Sequence, residues 1–191
     1  NRPNYLNSDV ELQLGDVRNA AAVEKALQGV DAVYHFVAAV GVGQSMYEIA
    51  EYTSVNNLGT AVLLEALLKR PVKRLVVASS MSLYGEGPYR NSRGDVVEAQ
   101  RTLAQLRDQD WEMMDEHGTP LQPLPVPETK QPSLNSIYAL SKYDQEQMCM
   151  MIGRAISSWS LRSISHTIRL RFSMSLSIDC LSNSASRSLL Q

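Results

Sequence analysis

An α/β fold with a parallel sheet follows from three observations along this chain. Short apolar stretches alternate with amphipathic helical patterns, a strand, a helix and a second strand fit within ~30 residues, and the second of those strands is apolar nearly throughout rather than alternating. A strand–helix–strand unit implies parallel neighbours joined by a right-handed crossover. The chain's 191 residues are enough for one domain with a real core.

Val10–Leu14 alternates apolar and polar residues and predicts a short strand ended by Gly15-Asp16. Asn19 is placed to cap a helix running to about Gln28, with Val23 and Leu27 on its apolar face and Gly29 as its stop. Asp31–Val37 predicts a second strand, apolar nearly throughout, as a strand covered on both faces should be. Gly41-Val42-Gly43 loosens the backbone before a long helix from about Met46 to Lys69, stopped at Arg70-Pro71. Its apolar residues cover more than one face, so it is expected to pack against the sheet and a second surface. Val72–Ala78 predicts a third strand, running into Ser79-Ser80.

Residues 86–135 differ in character. They hold six of the eight prolines and are expected to be mostly loop, an insertion beside the active face that serves as a substrate lid or as an inert surface excursion. Within them Asp95–Asp110 is expected to form a helix, with Asp95 as cap and Glu98 completing a capping box. A final helix carries Tyr138 and runs to about Arg154. Beyond it, residues 157–188 contain twelve serines, four arginines and one acid. The 154–191 segment is therefore expected not to be native to the fold, although Ile168–Met174 alternates well enough for a strand.

Hydrophobic residues make up 44% and charged residues 20% of the chain. That is ordinary for a globular protein. The net charge of −2 argues against nucleic acid or an anionic membrane as partner. Cys149 and Cys180 are far apart and form no metal or redox motif, which fits a reducing, cytoplasmic setting. No apolar run reaches the ~18 residues of a membrane span.

The chemistry centres on Ser136-Ile137-Tyr138-Ala139-Leu140-Ser141-Lys142. Tyr138 and Lys142 stand four residues apart, one helical turn, on a shared face. A free tyrosine, with a pKa of about 10, is a poor base at neutral pH. An ammonium one turn away stabilises the phenolate and brings it toward the working range.

Five motifs occur in order over residues 8–153: Gly15-Asp16-Val17-Arg18, Val30–Ala39, Asn56-Asn57-Leu58-Gly59-Thr60, Ser79-Ser80 to Tyr84-Gly85, and Tyr138–Lys142. Together they resemble the extended short-chain dehydrogenase/reductase family, the NAD-dependent epimerases and dehydratases. Val40–Glu48 and the long insertion are most similar to nucleotide-deoxysugar 4-epimerases. The resemblance implies a Rossmann-like parallel sheet with flanking helices, truncated at its first βαβ unit. Residues 1–153 would form a partial NAD-binding domain, interrupted by the 86–135 insertion.

By that resemblance Tyr138 would be the acid/base on a sugar hydroxyl, and Lys142 would lower its pKa and hold the nicotinamide ribose. Ser80, at the carboxyl end of a strand, would hydrogen-bond the reacting oxygen. Asp16 would accept from the adenine amino group with Val17 beside the ring. Val37 and Ala38 would line the cofactor. Asn56 would support the site, a helix-packing role being its alternative. His35 is expected to be a satisfied core histidine. The implied cofactor is NAD and the implied partner a nucleotide sugar, with a homodimer formed through the helices at 46–69 and 137–154.

Dehydratase relatives carry an Asp-Glu pair where this chain has Met81-Ser82, which disfavours dehydration. Relatives with zinc-binding C-x-x-C pairs in the insertion correspond here to Arg90–Arg93 and Met114–His117, so no structural zinc is expected. The family's Gly-rich phosphate-binding turn is absent, so the chain is expected to be a fragment that binds NAD poorly. The alternatives are an NAD(P)-dependent reductase of the same family, and a catalytically dead binding or dimerising fragment.

Overall fold

The computed structural model describes residues 3–159. The serine-rich segment, with its Ile168–Met174 strand and Cys180, lies outside the described residues.

The central unit is parallel. Strand β1 (Ala32–His35) pairs with β2 (Arg74–Val77) in the register Val33↔Leu75 and His35↔Val77. The connection is one long helical run: α3 (Ile49–Tyr52), a widened π turn (Thr53–Leu58) and α4 (Gly59–Lys69). It matches the helix expected at 46–69 apart from its first turn, where a short α2 (Val42–Ser45) has already formed after Gly41. Glycine is required at that position. The φ of Gly41 is +142°, and a Cβ there would stand 2.8 Å from the Tyr52 hydroxyl.

Period-two alternation sorts the strands. Leu75 and Val77 face a core built with Val23 and Leu27 from α1 (Ala20–Ala26) and its end, Leu63, Leu64 and Leu67 of α4, and Cys149 of α6 (Ile137–Trp159). α1 is capped as expected. The Asn19 side chain accepts from Ala22 N at 3.1 Å. Gly29 takes φ +72° just past the helix end, a left-handed residue of the kind that stops helices. A Cβ on Gly59 would overlap Val17 Cγ1, so glycine is what lets the 15–18 loop lie flat on the helix.

The structure corrects several expectations. Val10–Leu14 forms no strand: no neighbouring strand pairs with it among the described residues, and alternation without a ladder partner leaves the segment exposed. The β-α-β unit is therefore built on β1, the 49–69 run and β2, not on residues 10–37. β1 is covered on one face only. Tyr34 on its other face and Phe36 just past its end are 63% and 64% exposed. They pack edge-to-face on each other, their ring centroids 6.0 Å apart.

The 86–135 region is more ordered than its prolines suggest. β3 (Pro88–Arg90) pairs antiparallel with β4 (Val96–Glu98) and with β5 (Gln122–Pro123), over a small core of Tyr89, Met113 and Leu121. The helix expected at 95–110 starts later. Asp95 closes the β3–β4 turn instead, accepting from Asn91 Nδ2 at 3.2 Å. β-Branched Val96-Val97 then continue into the strand. α5 (Leu103–Asp108) takes its capping box from Thr102 and Gln105. Finally, α6 continues past Arg154 to Trp159. None of the helices among the described residues is long and apolar enough to cross a membrane.

Candidate functional site

Tyr138 and Lys142 occupy the first turns of α6, and the start of that helix is fixed from two directions. Ser136 Oγ accepts from Ala139 N at 3.0 Å, an N-cap within the chain. Ser45 Oγ accepts from Tyr138 N at 3.0 Å while donating to Val42 O at 2.6 Å. A free N–H at the helix start is thereby satisfied, and the helix is tied to α2. The Tyr138 ring is 8% exposed. It meets Tyr52 edge-to-face, with centroids 6.4 Å apart.

Lys142 is 2% exposed. Its Nζ donates to Gln145 Oε1 at 2.6 Å. Burial pushes its pKa down to about 8, opposed by Cys149 and Glu146. Behind it, Gln145 Nε2 donates to Thr60 Oγ1 at 2.8 Å and Val37 O at 3.3 Å. Thr60 Oγ1 also lies 2.8 Å from His35 Nε2. His35 is the buried, partnered core histidine expected; burial and the Lys142 ammonium push it down to about 4, so it is neutral at physiological pH.

Ser80 sits just past β2 and caps a 3₁₀ turn (Met81–Tyr84) that packs against α6. Its Oγ accepts from Ser82 N at 3.2 Å. Accepting leaves its hydroxyl proton able to donate elsewhere. The preceding Ser79 donates to Glu146 Oε2 at 2.7 Å and so fastens this loop to the Tyr138 helix.

Val37 and Ala38 follow β1 at its carboxyl end, Val37 exposed and Ala38 half-buried. Asn56 is fully buried in the π turn, the kind of irregularity that recurs near functional sites. Its Oδ1 accepts from Ala39 N at 2.7 Å, and its Nδ2 donates to Ala39 O at 3.1 Å and Ser141 Oγ at 2.8 Å. It clamps the β1 exit to α6, which is the packing alternative, applied at the site itself.

The two residues expected at the adenine make these contacts within the chain. Asp16 accepts from Arg18 N at 2.8 Å and from the Arg18 guanidinium at 2.6 Å. That pairing holds its pKa down to about 2. Val17 packs on Gly59 at the edge of the core. Sequence reasoning missed Gln145, Thr60 and Ser45. Gln145 was legible as i+3 from Lys142, hence on its face. Thr60 and Ser45 reach the site only through tertiary packing.

The model of a family described as NAD dependent epimerase/dehydratase matches residues 1–104. A dTDP-L-rhamnose 4-epimerase from Burkholderia thailandensis is 32% identical over 165 residues, covering 84% of this chain and 42% of that protein. A UDP-glucose 4-epimerase from Yersinia pestis is 39% identical over 80 residues, covering 41% of this chain and 24% of that protein. Among solved structures, the UDP-glucose 4-epimerase of Thermotoga maritima with UDP-glucose shares the fold at a TM-score of 0.56 and 23% identity, covering 78% of this chain and 38% of that one. The Thermus thermophilus UDP-glucose 4-epimerase complex with NAD aligns at a TM-score of 0.51 and 27% identity, covering 74% of this chain and 36% of that one. The chain thus spans less than half the length of these relatives.

Proposed function

This chain belongs to the NAD-dependent epimerase/dehydratase family, a family of enzymes, and on that premise we propose that it is part of a nucleotide-sugar 4-epimerase in which Tyr138 is the acid/base. The observation that carries the reading is the pairing on α6. Tyr138 and Lys142 are one turn apart, both buried, beside the carboxyl end of a parallel strand pair.

NAD, when bound, would take hydride from the sugar carbon and return it to the opposite face. Tyr138 removes the hydroxyl proton as the ketone forms and gives it back afterwards. Lys142, still largely protonated at neutral pH, would hold the nicotinamide ribose and favour the deprotonated form of the acid/base. Ser80 donates to the sugar oxygen. Met81 and Ser82 follow where a dehydratase needs carboxylates, which favours epimerisation over dehydration.

The residues present fit the nicotinamide half of the cofactor better than the adenine half. Val37 and Ala38 stand at the strand end beside a buried lysine, whereas Asp16 is already committed to Arg18 and Val17 to Gly59. The exposed Tyr34 and Phe36 on a parallel sheet, a type normally covered on both faces, support the view that the whole enzyme extends beyond these residues and that this chain alone binds NAD weakly. Exposed Leu58 on the long helical run and Leu140 and Met151 on α6 are compatible with dimerisation through those helices. The insertion at 86–135 and the 154–191 segment are assigned no part in the chemistry.

Tyr138→Phe tests the assignment. In a form of the protein that turns over substrate, it should lower kcat by at least about 10³-fold, the upper range for removing an acid/base group, with NAD affinity nearly unchanged. Retention of turnover would reject the mechanism. A calorimetric titration with NAD of this chain and of a form carrying a restored Gly-rich turn separates the readings: binding gained on restoration fits the epimerase reading, and binding in neither form fits the dead fragment.

A further inference from the structure

We propose that Gln145 is a positioning residue for Lys142: its side-chain carbonyl aims the buried ammonium, and a hydrogen-bond relay through Thr60 fixes which way that carbonyl points. The proposal rests on the reading of Lys142 given above and adds the group that holds it.

Proton counting fixes the direction of the relay. Thr60 has one hydroxyl proton. It goes to Asn56 O one turn back in the same helical run, at 2.6 Å. Thr60 Oγ1 is therefore an acceptor toward its other neighbours. His35 must present Nε2–H to it at 2.8 Å, and Gln145 must present its amide NH₂ at 2.8 Å. The two donors converge on one oxygen, which is why their nitrogens lie 3.3 Å apart. With its NH₂ directed at Thr60 Oγ1 and Val37 O, Gln145 can offer Lys142 only its carbonyl, at 2.6 Å. A flipped amide would set NH₂ against an ammonium and a carbonyl against two acceptors.

The neutral partner matters. A carboxylate at that position would cancel the ammonium's field, and an apolar residue would leave it buried without an acceptor. An amide oxygen orients the ammonium and uses one of its three donors. The titratable groups that bear on Lys142 are His35 from β1 and Glu146 and Cys149 from α6. His35 is neutral at physiological pH and burial pushes Cys149 up to about 11, so Glu146 is the charged one.

The test is the titration of Lys142 Nζ in the full chain labelled with ¹³C,¹⁵N-lysine, its resonance identified by its loss in Lys142→Arg. Gln145→Leu should lower the midpoint by about one to two pH units, since a hydrogen bond to a charged group is removed. Gln145→Glu should raise it by about one unit or more. Opposite shifts are a signature that loosened packing does not give. Midpoints within about 0.3 unit of the parent, well under the shift a charged-group hydrogen bond implies, or shifts of the same sign in both variants, would overturn the proposal. Should the Leu variant not fold, the near-isosteric Gln145→Met, which also lacks the carbonyl, takes its place with the same expected lowering. Neither measurement needs cofactor or turnover. A chain that shows these shifts yet has no epimerase activity would sink the functional reading and leave this one standing.

Discussion

Around Asn56 and Gln145 the polar side chains are buried and hydrogen-bond one another, whereas around Asp115 the polar contacts are as dense but face water. In the first region Asn56, Thr60, Ser141, Lys142 and Gln145 link β1, the long helical run and α6. In the second, Asp115 accepts from Ser92 Oγ at 2.6 Å, His117 N at 2.9 Å and Thr119 N at 2.9 Å, all exposed. Those contacts hold the carboxyl far below the usual carboxylate range. A polar group in water exchanges one partner for another at little net gain, while a buried one left alone costs its full desolvation. The buried seam should therefore be brittle and specific, and the insertion tolerant.

The sharpest way to break that contrast is Asn56→Ala. It removes three hydrogen bonds and leaves Ala39 N and Ala39 O without their partner at the β1 exit. The expected cost is about 3–4 kcal/mol, from part-buried backbone groups and the buried Ser141 hydroxyl losing their partner plus a cavity, read from a shifted midpoint in urea unfolding. A loss below about 1 kcal/mol would mean that water replaces the clamp and that the seam is not brittle.

A second, somewhat smaller effect is acid sensitivity through His35. Its folded pKa, about 4, lies below the ordinary value of 6.5, so the unfolded chain binds more protons between those limits. Stability from this group is fully present above pH 6.5 and is lost as pH falls toward 4, by up to about 3 kcal/mol. Asp16 titrates lower, its loss beginning below 3.8, and so stays out of that window. Unfolding midpoints across pH 4–7 should show the slope in the parent and a flatter one in His35→Gln.

The contrast also explains what was legible in the sequence. α1, the long helical run, β1, β2 and the Tyr138–Lys142 pair declared themselves because their signals are local: caps, periodicity and an i,i+4 spacing. Val10–Leu14 carried an equally good alternating pattern and formed nothing, because a strand exists only with a neighbour. Asp95 and Glu98 made a plausible capping box, yet the Asn91–Asp95 turn competed for the same aspartate and won. Ser45 and Thr60 fall within stretches that carry the family resemblance, but nothing local in them points to their contacts. Their roles arise from residues distant in sequence, Tyr138 for one and His35 and Gln145 for the other.

The gentlest probe is Arg93→Ala in the insertion. Arg93 reaches Glu116 at 2.8 Å and Asp95 at 3.5 Å, joining the β3–β4 turn to the turn at 115–118, so by drawing alone it looks like a strut. Both partners are more than half exposed, and the same two turns are already joined by Ser92 and Asp115. An exposed ion pair gains little Coulomb energy in water, is screened by salt and costs side-chain entropy to hold. The expected change is within about 0.5 kcal/mol at physiological ionic strength, with no change in amide exchange at Tyr89 or Leu121. A cost above about 1.5 kcal/mol that shrinks in added salt would show the insertion to be held by charge, and tolerance would then no longer distinguish it from the buried seam.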